Sequence, residues 1–437
     1  MNTKNDVEII ILDDLPPEVV AMLQALYSRD PSSVLTHIDK VKKEGAEKFM
    51  GTYYVGYGHK SIGDCGSTSL FIENVSMLAA KAVQDWPLYS GQEASTRYLD
   101  MSKQKVLNPL NSDQGQEIQN RWMRMYERIL AKLIEVLPNH FPIKEGDDEK
   151  KYRKAIKAKA FDVARGFLPA GVTTYVSWHT NLRQAADHLK EMRHHPLEEI
   201  RNIAWATEEK LQEKYPGSFS LKRYADEELY LAENAAQLAF RNKKCTEFVA
   251  SAHLYLPLIE EYRKIFESRP NKTDLPKQLR LCGDFSFEFL LDFGSFRDFQ
   301  RQRSVIQPMP LLTTEYGFEN WYLEQLSDDL KDEVTVFLAE QEIKIAALPC
   351  NEYDKQYYIG MGYQVPCVAL APLPAAVYIA ELRSNQTVHP TLRKIAHKIG
   401  RFIENEIPGI ALYCDYSEDE WTIKRGAHDI VKKEEVK

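Results

Sequence analysis

The chain lacks any CxxC pair; its six cysteines, Cys65, Cys245, Cys282, Cys350, Cys367 and Cys414, stand apart. In a chain this long, scattered cysteines read as reduced, packed thiols and imply a cytoplasmic location. It also lacks an uncharged apolar run of the roughly eighteen residues that a membrane span needs, so no membrane partner is expected. Val7–Leu12 is too short for a signal peptide, is interrupted by Glu8, and reads as a buried strand. No GxGxxG or GxxxxGK[ST] occurs, which argues against a Rossmann or P-loop nucleotide site. No HExxH or cysteine cluster occurs, and His194 and His195 are adjacent, which sends their rings apart, so no metal site is expected. An excess of positive charge is missing too. A net charge of −8 argues against nucleic acid or an acidic membrane as partner, and confines any anion site to a local pocket.

What is present is a globular composition, 44% apolar and 27% charged over 437 residues, enough for two or three domains. Helical periodicity dominates. It predicts helices over 16–28, 33–44, 114–136, 149–166, 182–193, 197–214, 248–268 (broken near Pro257), 326–347, 374–383 and 390–406. Residues 144–150 and 268–276 read as charged surface loops. Two segments look alike: EIRNIAWATEEKLQEKYPG from Glu199 and TLRKIAHKIGRFIENEIPG from Thr391. They share Arg201/Arg393, Ile203/Ile395, Ala204/Ala396, Pro216/Pro408 and Gly217/Gly409 without a gap. Two unrelated amphipathic helices with Pro-Gly ends would give as much. Each half, however, also has an apolar run (Ser69–Pro87 and Phe285–Arg303), then a helical stretch, then this helix. That order favours a tandem of related domains, 1–222 and 245–437, with 223–244 as connector.

Three motifs carry chemistry. SGQEASTRYLD, from Ser90 to Asp100, sets Ser95 and Arg97 beside Glu93. A hydroxyl and a forked guanidinium make a phosphate site, although a loop Arg–Glu pair gives the same letters. GYGHKS presents His59 after a glycine turn, and a lone histidine there is more often a plain turn residue. ARGFLPAGVTTYVSWHTNLR holds Arg165, a proline that ends a helix, a strand over 172–178, then Asn181 and Arg183.

In this order these pieces resemble the flavin-dependent thymidylate synthases (ThyX-like), whose signature has the form RHRxxSxNxxSxRY. The resemblance covers about Val7–Phe219. It departs in the signature, where Asp85, Trp86 and Pro87 stand in place of the family's RHR, the residues that grip flavin, and again at MRHHPLEEIR, which is shorter than the family's segment. An aspartate and a proline in the signature oppose a diphosphate. Arg193 matches the family's uracil-contacting arginine only with a one-residue shift, about 100° on a helix. The second half, about Leu279–Pro408, resembles the family in the opposite way. Arg301 and Arg303 take the two arginine positions, and Arg383 matches the uracil arginine. Met309, Leu311 and Thr313, however, replace the glutamate, serine and arginine of the nucleotide motif, and no counterpart of Arg165, Asn181 or Arg183 is visible.

The resemblance therefore implies an α/β fold of two tandem domains, each a twisted, mostly antiparallel sheet packed with long helices. It implies two halves degenerate in complementary ways, and a homodimer that mimics the family's tetramer. The implied reaction methylates dUMP, or a related uridine nucleotide, at C5, with methylenetetrahydrofolate, FAD and NADPH. Arg383 would stabilise uracil, and Glu93, Ser95, Arg97 and Arg165 would hold the nucleotide. Arg301 and Arg303 would hold flavin or folate, with His59, Asn181 and Arg183 as further contacts. The alternative is a nucleotide-binding or scaffold paralogue without flavin chemistry. Cys350 and Cys367 each follow a proline and have no activating neighbour, so they read as packed thiols rather than nucleophiles.

Overall fold

The computed structural model describes residues 9–30, 32–220, 222–241 and 244–423. It is mixed α/β, with two small antiparallel sheets: β1 (Ser67–Ser76) with β2 (Thr173–Asn181), and β3 (Val249–Leu254), β4 (Gly283–Asp292) and β5 (Gln364–Pro372) in that order. The chain forms two compact units that interleave along the sequence. One holds the described residues up to Phe71, with Leu88–Gly91 and Ser177–Ala236; the other holds Ile72–Pro87, Gln92–Val176 and the described residues from Gln237 onward. These units partition the chain differently from the sequence halves.

The first unit is helical. Helices Pro17–Tyr27, Leu182–Met192 and Glu198–Lys214 bury Ala21, Met22, Leu189, Ile200 and Leu211. The Pro-Gly stop after Lys214 begins a short helix, Pro216–Phe219. A side chain at Gly217 would lie 2.4 Å from the Glu47 carbonyl oxygen, so only glycine fits there. A seven-residue π-helix, Met50–Gly56, precedes the His59 turn.

The second unit is built on β4. Alternation along it buries Phe285, Phe287 and Phe289 on one face, each 1% exposed or less. Phe402, on the helix Pro390–Glu406, meets the first two edge-on at 6.1 and 6.2 Å. Each such ring stabilises by about 1.5–3 kcal/mol. β5 pairs with β4 from Asp284↔Pro372 to Asp292↔Gln364.

A common order recurs in the two halves. β1, helix Met77–Gln84, helices Asp113–His140 and Glu149–Ala164, the 3₁₀ turn Arg165–Phe167, β2 and helices Leu182–Met192 and Glu198–Lys214 come first. β4, helix Phe293–Phe299, helices Asn320–Glu324, Asp328–Ala346 and Glu352–Lys355, the 3₁₀ turn Gln356–Tyr358, β5 and helices Leu373–Ser384 and Pro390–Glu406 follow. The two 3₁₀ turns lead into a shared antiparallel bridge at Pro169↔Gly360. Ala170 N donates to Ile359 O (2.9 Å) and Met361 N to Leu168 O (2.8 Å); Gly171 N donates to Tyr357 O (3.0 Å) and Gly362 N to Gly166 O (2.7 Å). Equivalent positions thus exchange bonds in pairs, as about a local two-fold axis. In this frame Gln356 occupies the place of Arg165, and Pro372 and Pro374 those of Asn181 and Arg183.

Two sequence expectations change. Residues 248–268 are not one helix: β3 comes first, then short helices Leu256–Glu261 and Arg263–Glu267. Pairing of β3 with β4 from Val249↔Glu288 to Leu254↔Gly283 overrides the local periodicity. Residues 9–12 are not a buried strand. Ile9 and Ile11 are exposed, and no ladder among the described residues includes them; Val7 and Glu8 lie outside the described residues.

Candidate functional site

The second unit gathers the site from both halves. Two helices with equivalent entries position it. Ser76 Oγ caps Met77–Gln84 by accepting from Ala79 N (3.0 Å), and Asp292 Oδ2 caps Phe293–Phe299 by accepting from Ser295 N (2.8 Å). Lys81 and Arg297, 216 residues apart and equivalent in the two apolar runs, project from these helices to the same carboxylate. Lys81 Nζ lies 2.8 Å from Glu93 Oε2, and Arg297 pairs with Glu93 Oε1. Gln84 Nε2 also donates to Glu93 (2.8 Å). The Lys81 and Glu93 side chains are 0% and 1% exposed. Burial alone would raise the Glu93 carboxyl, but Arg297 and Lys81 outweigh it and hold the group down at about 2. Burial pulls the Lys81 ammonium down, against the pull of Glu93.

Next to this pair, four arginines converge. Arg97 grips Asp162 through Nε (2.6 Å) and Nη2 (3.3 Å), and donates to the Thr387 carbonyl (2.8 Å). Arg165, 1% exposed, donates to Ser295 Oγ (2.7 Å) and Asp298 Oδ2 (3.2 Å), with Asp292 at 3.8 Å. Arg383 donates to the Asp298 carbonyl (2.5 Å), and Arg301 Nε lies 3.9 Å from Asp298 Oδ1. Burial would raise the Asp298 carboxyl, yet Arg165, Arg301, Arg97 and Arg383 together hold it far below the usual carboxylate range. Burial depresses the Arg97 and Arg383 guanidiniums. Behind them, Asp292 accepts from Thr391 Oγ1 (2.5 Å) and Tyr322 OH (2.8 Å), which fixes the floor of the site. His389, fully buried between Ser295 Oγ (3.2 Å) and the Asp162 carbonyl (3.1 Å), is kept neutral by burial and by neighbouring Arg165 and Arg97.

A cleft of about 610 Å³ opens on this cluster. Lys277, Arg280, Arg301, Arg303 and Arg383 line it, with Tyr378 and Leu382 as apolar wall. Such a cleft suits a ligand with several negative charges and a flat ring. A neighbouring cavity of about 380 Å³ is lined by Asp85, Trp86 and Pro87 together with Gln302 and Arg303. The two versions of the basic signature therefore line one cavity. Ser95 is half-buried and turns its own loop, its Oγ accepting from Arg97 N at 3.4 Å.

The structure thus brings Glu93, Ser95, Arg97, Arg165, Arg301, Arg303 and Arg383 into one unit. His59, Asn181 and Arg183 belong to the other. There His59 is exposed beside Tyr57 (6.1 Å between rings), and Asn181 Oδ1 caps the Leu182–Met192 helix by accepting from Gln184 N (2.8 Å). Arg183 pairs with Asp64 (2.8 Å) and Asp187 (3.5 Å) and lines a cavity of about 730 Å³ with Lys60 and Lys190. Arg193 is committed to Glu208 (2.9 Å) and Glu228 (2.8 Å). Cys367 is buried and Cys350 partly so, and burial pushes both thiols up, away from nucleophilic use. Among the described residues no group of three or more His, Cys, Asp or Glu is disposed to hold a metal ion, and no helix is long and apolar enough to cross a membrane.

Sequence reasoning missed Lys81, Asp162, Arg297 and Asp298. A signal existed for two of them: Lys81 and Arg297 are cations at matching positions inside apolar runs. Nothing in the spacing marked the aspartates.

The family model described as "Thymidylate synthase complementing protein" matches residues 12–217. A "UPF0159 protein" of Chlamydia muridarum is 23% identical over 95% of this chain and 94% of its own length. "UPF0159 protein Ta1429" of Thermoplasma acidophilum is 25% identical over 89% of this chain and 93% of its own.

Proposed function

From a chain whose residues 12–217 match the family model described as "Thymidylate synthase complementing protein", we propose a thymidylate-synthase-like methylation of a uridine nucleotide, dUMP first, at C5. The observation that supports this reading most is the meeting at Asp298 of Arg165, from one half, with Arg301 and Arg383, from the other: Arg165 and Arg301 at its carboxylate and Arg383 at its backbone carbonyl, with Arg97 also acting on its charge. Neither half alone has the full set. The repeated element order supports a tandem duplication in which the halves specialised. Two such chains would then supply the four family-type domains of a tetramer, which gives a homodimer as the working assembly.

The cleft residues fit an FAD diphosphate or the acidic tail of a folate: Lys277, Arg280, Arg301 and Arg303 offer four cations at one mouth, and Tyr378 offers a ring face. When bound, a reduced flavin supplies hydride and relays the one-carbon unit from methylenetetrahydrofolate, with NADPH as reductant. The chain's own part is positioning and charge. Arg383 stabilises electron density on the uracil, Glu93 keeps the SxRY loop in place through Lys81 and Arg297, and Arg97 and Arg165 supply positive charge for the phosphate.

A second reading has its own observation. Asp85 and Pro87 line the cavity that the basic signature would fill, and this favours a nucleotide-binding protein without flavin chemistry. The absorbance spectrum of purified protein, before and after FAD addition and desalting, separates the two. A retained band at ~450 nm, lost in Arg301→Ala/Arg303→Ala, supports the synthase. A colourless protein that retains no FAD overturns it.

A further inference from the structure

The arginines of the site already have protein partners. Arg97 meets the carboxylate of Asp162, Arg165 those of Asp292 and Asp298, and Arg301 that of Asp298, while Arg383 donates to the Asp298 backbone carbonyl. All four arginines act on the charge of Asp298. Asp162 is 1% exposed and bidentate to Arg97, and Asp292 is 0% exposed and hydrogen-bonded by three neighbours. Asp298 is 17% exposed. Two of the arginines that approach it, Arg301 and Arg383, also line the open cleft.

The set is also incompletely used. Four positive groups face three negative ones, which leaves one charge unbalanced. The Nε atoms of Arg165 and Arg383 are buried with no hydrogen-bond partner. A buried N–H without an acceptor is costly, and the Asp298 carboxylate, which accepts from Arg165 Nη1, satisfies neither Nε atom. A tetrahedral oxyanion, with more oxygens and more charge, serves them better.

Resting on the nucleotide reading above, we propose that Asp298 is a built-in stand-in for a phosphate. It fills the anion slot of the resting protein, and a phosphorylated ligand enters only by displacing its carboxylate. Asp298 then sets the site's selectivity. A nucleoside meets no competitor, while the phosphate of its nucleotide does. Because the carboxyl is held ionised, mild acidification does not lift the competition; only movement of the side chain, or its replacement, does.

Calorimetry on the full chain tests this, with inorganic phosphate, dUMP and deoxyuridine as probes against wild type, Asp298→Asn and Asp298→Glu. Expected is a gain of about tenfold or more in phosphate and dUMP affinity in Asp298→Asn, with deoxyuridine unchanged. Asp298→Glu, which keeps the charge, should stay near wild type. If wild type already binds dUMP far more tightly than deoxyuridine, and Asp298→Asn adds nothing, the proposal is overturned. Should Asp298→Asn prove unstable, its melting temperature in rising phosphate decides. A larger upward shift than wild type supports the stand-in role, and an equal or smaller one overturns it. A gain for inorganic phosphate with no binding of either uridine compound keeps the stand-in and removes the nucleotide reading instead.

Discussion

Replacing Glu93 by glutamine keeps the shape of the side chain and removes its charge. Lys81 and Arg297 would then be two buried cations without a counter-ion. Two independent routes give the cost. Breaking a buried ion pair by removing one partner costs about 3–5 kcal/mol. The carboxyl is held at about 2 rather than its ordinary 4.5, and that shift corresponds to about 3 kcal/mol of linkage. The group is enclosed, so solvent does little to reduce the figure. The sign follows from the depressed value. The contribution is fully present above pH 4.5 and is lost as pH falls toward 2, because the unfolded chain takes up the proton first. Urea denaturation of wild type and Glu93→Gln at pH 7 and at pH 3 is the assay. Expected is a deficit of about 3 kcal/mol at pH 7 that shrinks at pH 3. A second change, Lys81→Met, should recover part of the loss in the glutamine background, since it removes one of the stranded charges. A deficit below about 1 kcal/mol at pH 7, or one that does not shrink in acid, refutes the argument that this triad is held by charge.

Phe287→Ala removes a ring from the β4 face and should cost about 3–5 kcal/mol, read as a lower denaturation midpoint. Gly217→Ala should lower the melting temperature, because its new methyl group meets the Glu47 backbone, which cannot withdraw as a flexible side chain could. Arg193→Met should destabilise by about 3 kcal/mol, because Glu208 and Glu228 lose their shared partner in a largely enclosed site; it should leave flavin retention unchanged.

Much of this was legible in the chain. The helix Pro390–Glu406 has the ends that its proline and its 3.6-residue stripe predict, and the bend from strand to helix before each signature is visible as an apolar run. β3 was not legible. Val249–Leu254 lies at the sheet edge with a half-buried alternation, and its pairing partners are 29 to 39 residues away. The exposed Ile9 and Ile11 show the converse failure, where an apolar run has no ladder to join. In the site, the residue types of the family motifs named Arg97, Arg165, Arg301 and Arg383. Spacing could not name Asp162, Asp292 and Asp298, because each charge partner is set by tertiary contact between distant segments. The interleaving of the two units was hidden for the same reason: β1 and β2 each contribute to both, so no boundary in composition marks the division.

The central claim is that two degenerate halves make one site. Tritium release from dUMP labelled at C5, with FAD, NADPH and methylenetetrahydrofolate supplied, tests it directly in wild type, Arg97→Ala and Arg383→Ala. A shared site gives release by wild type and a loss of about a hundredfold or more in each variant, one from each half. Release that survives either substitution, or no release from the wild-type protein, contradicts it.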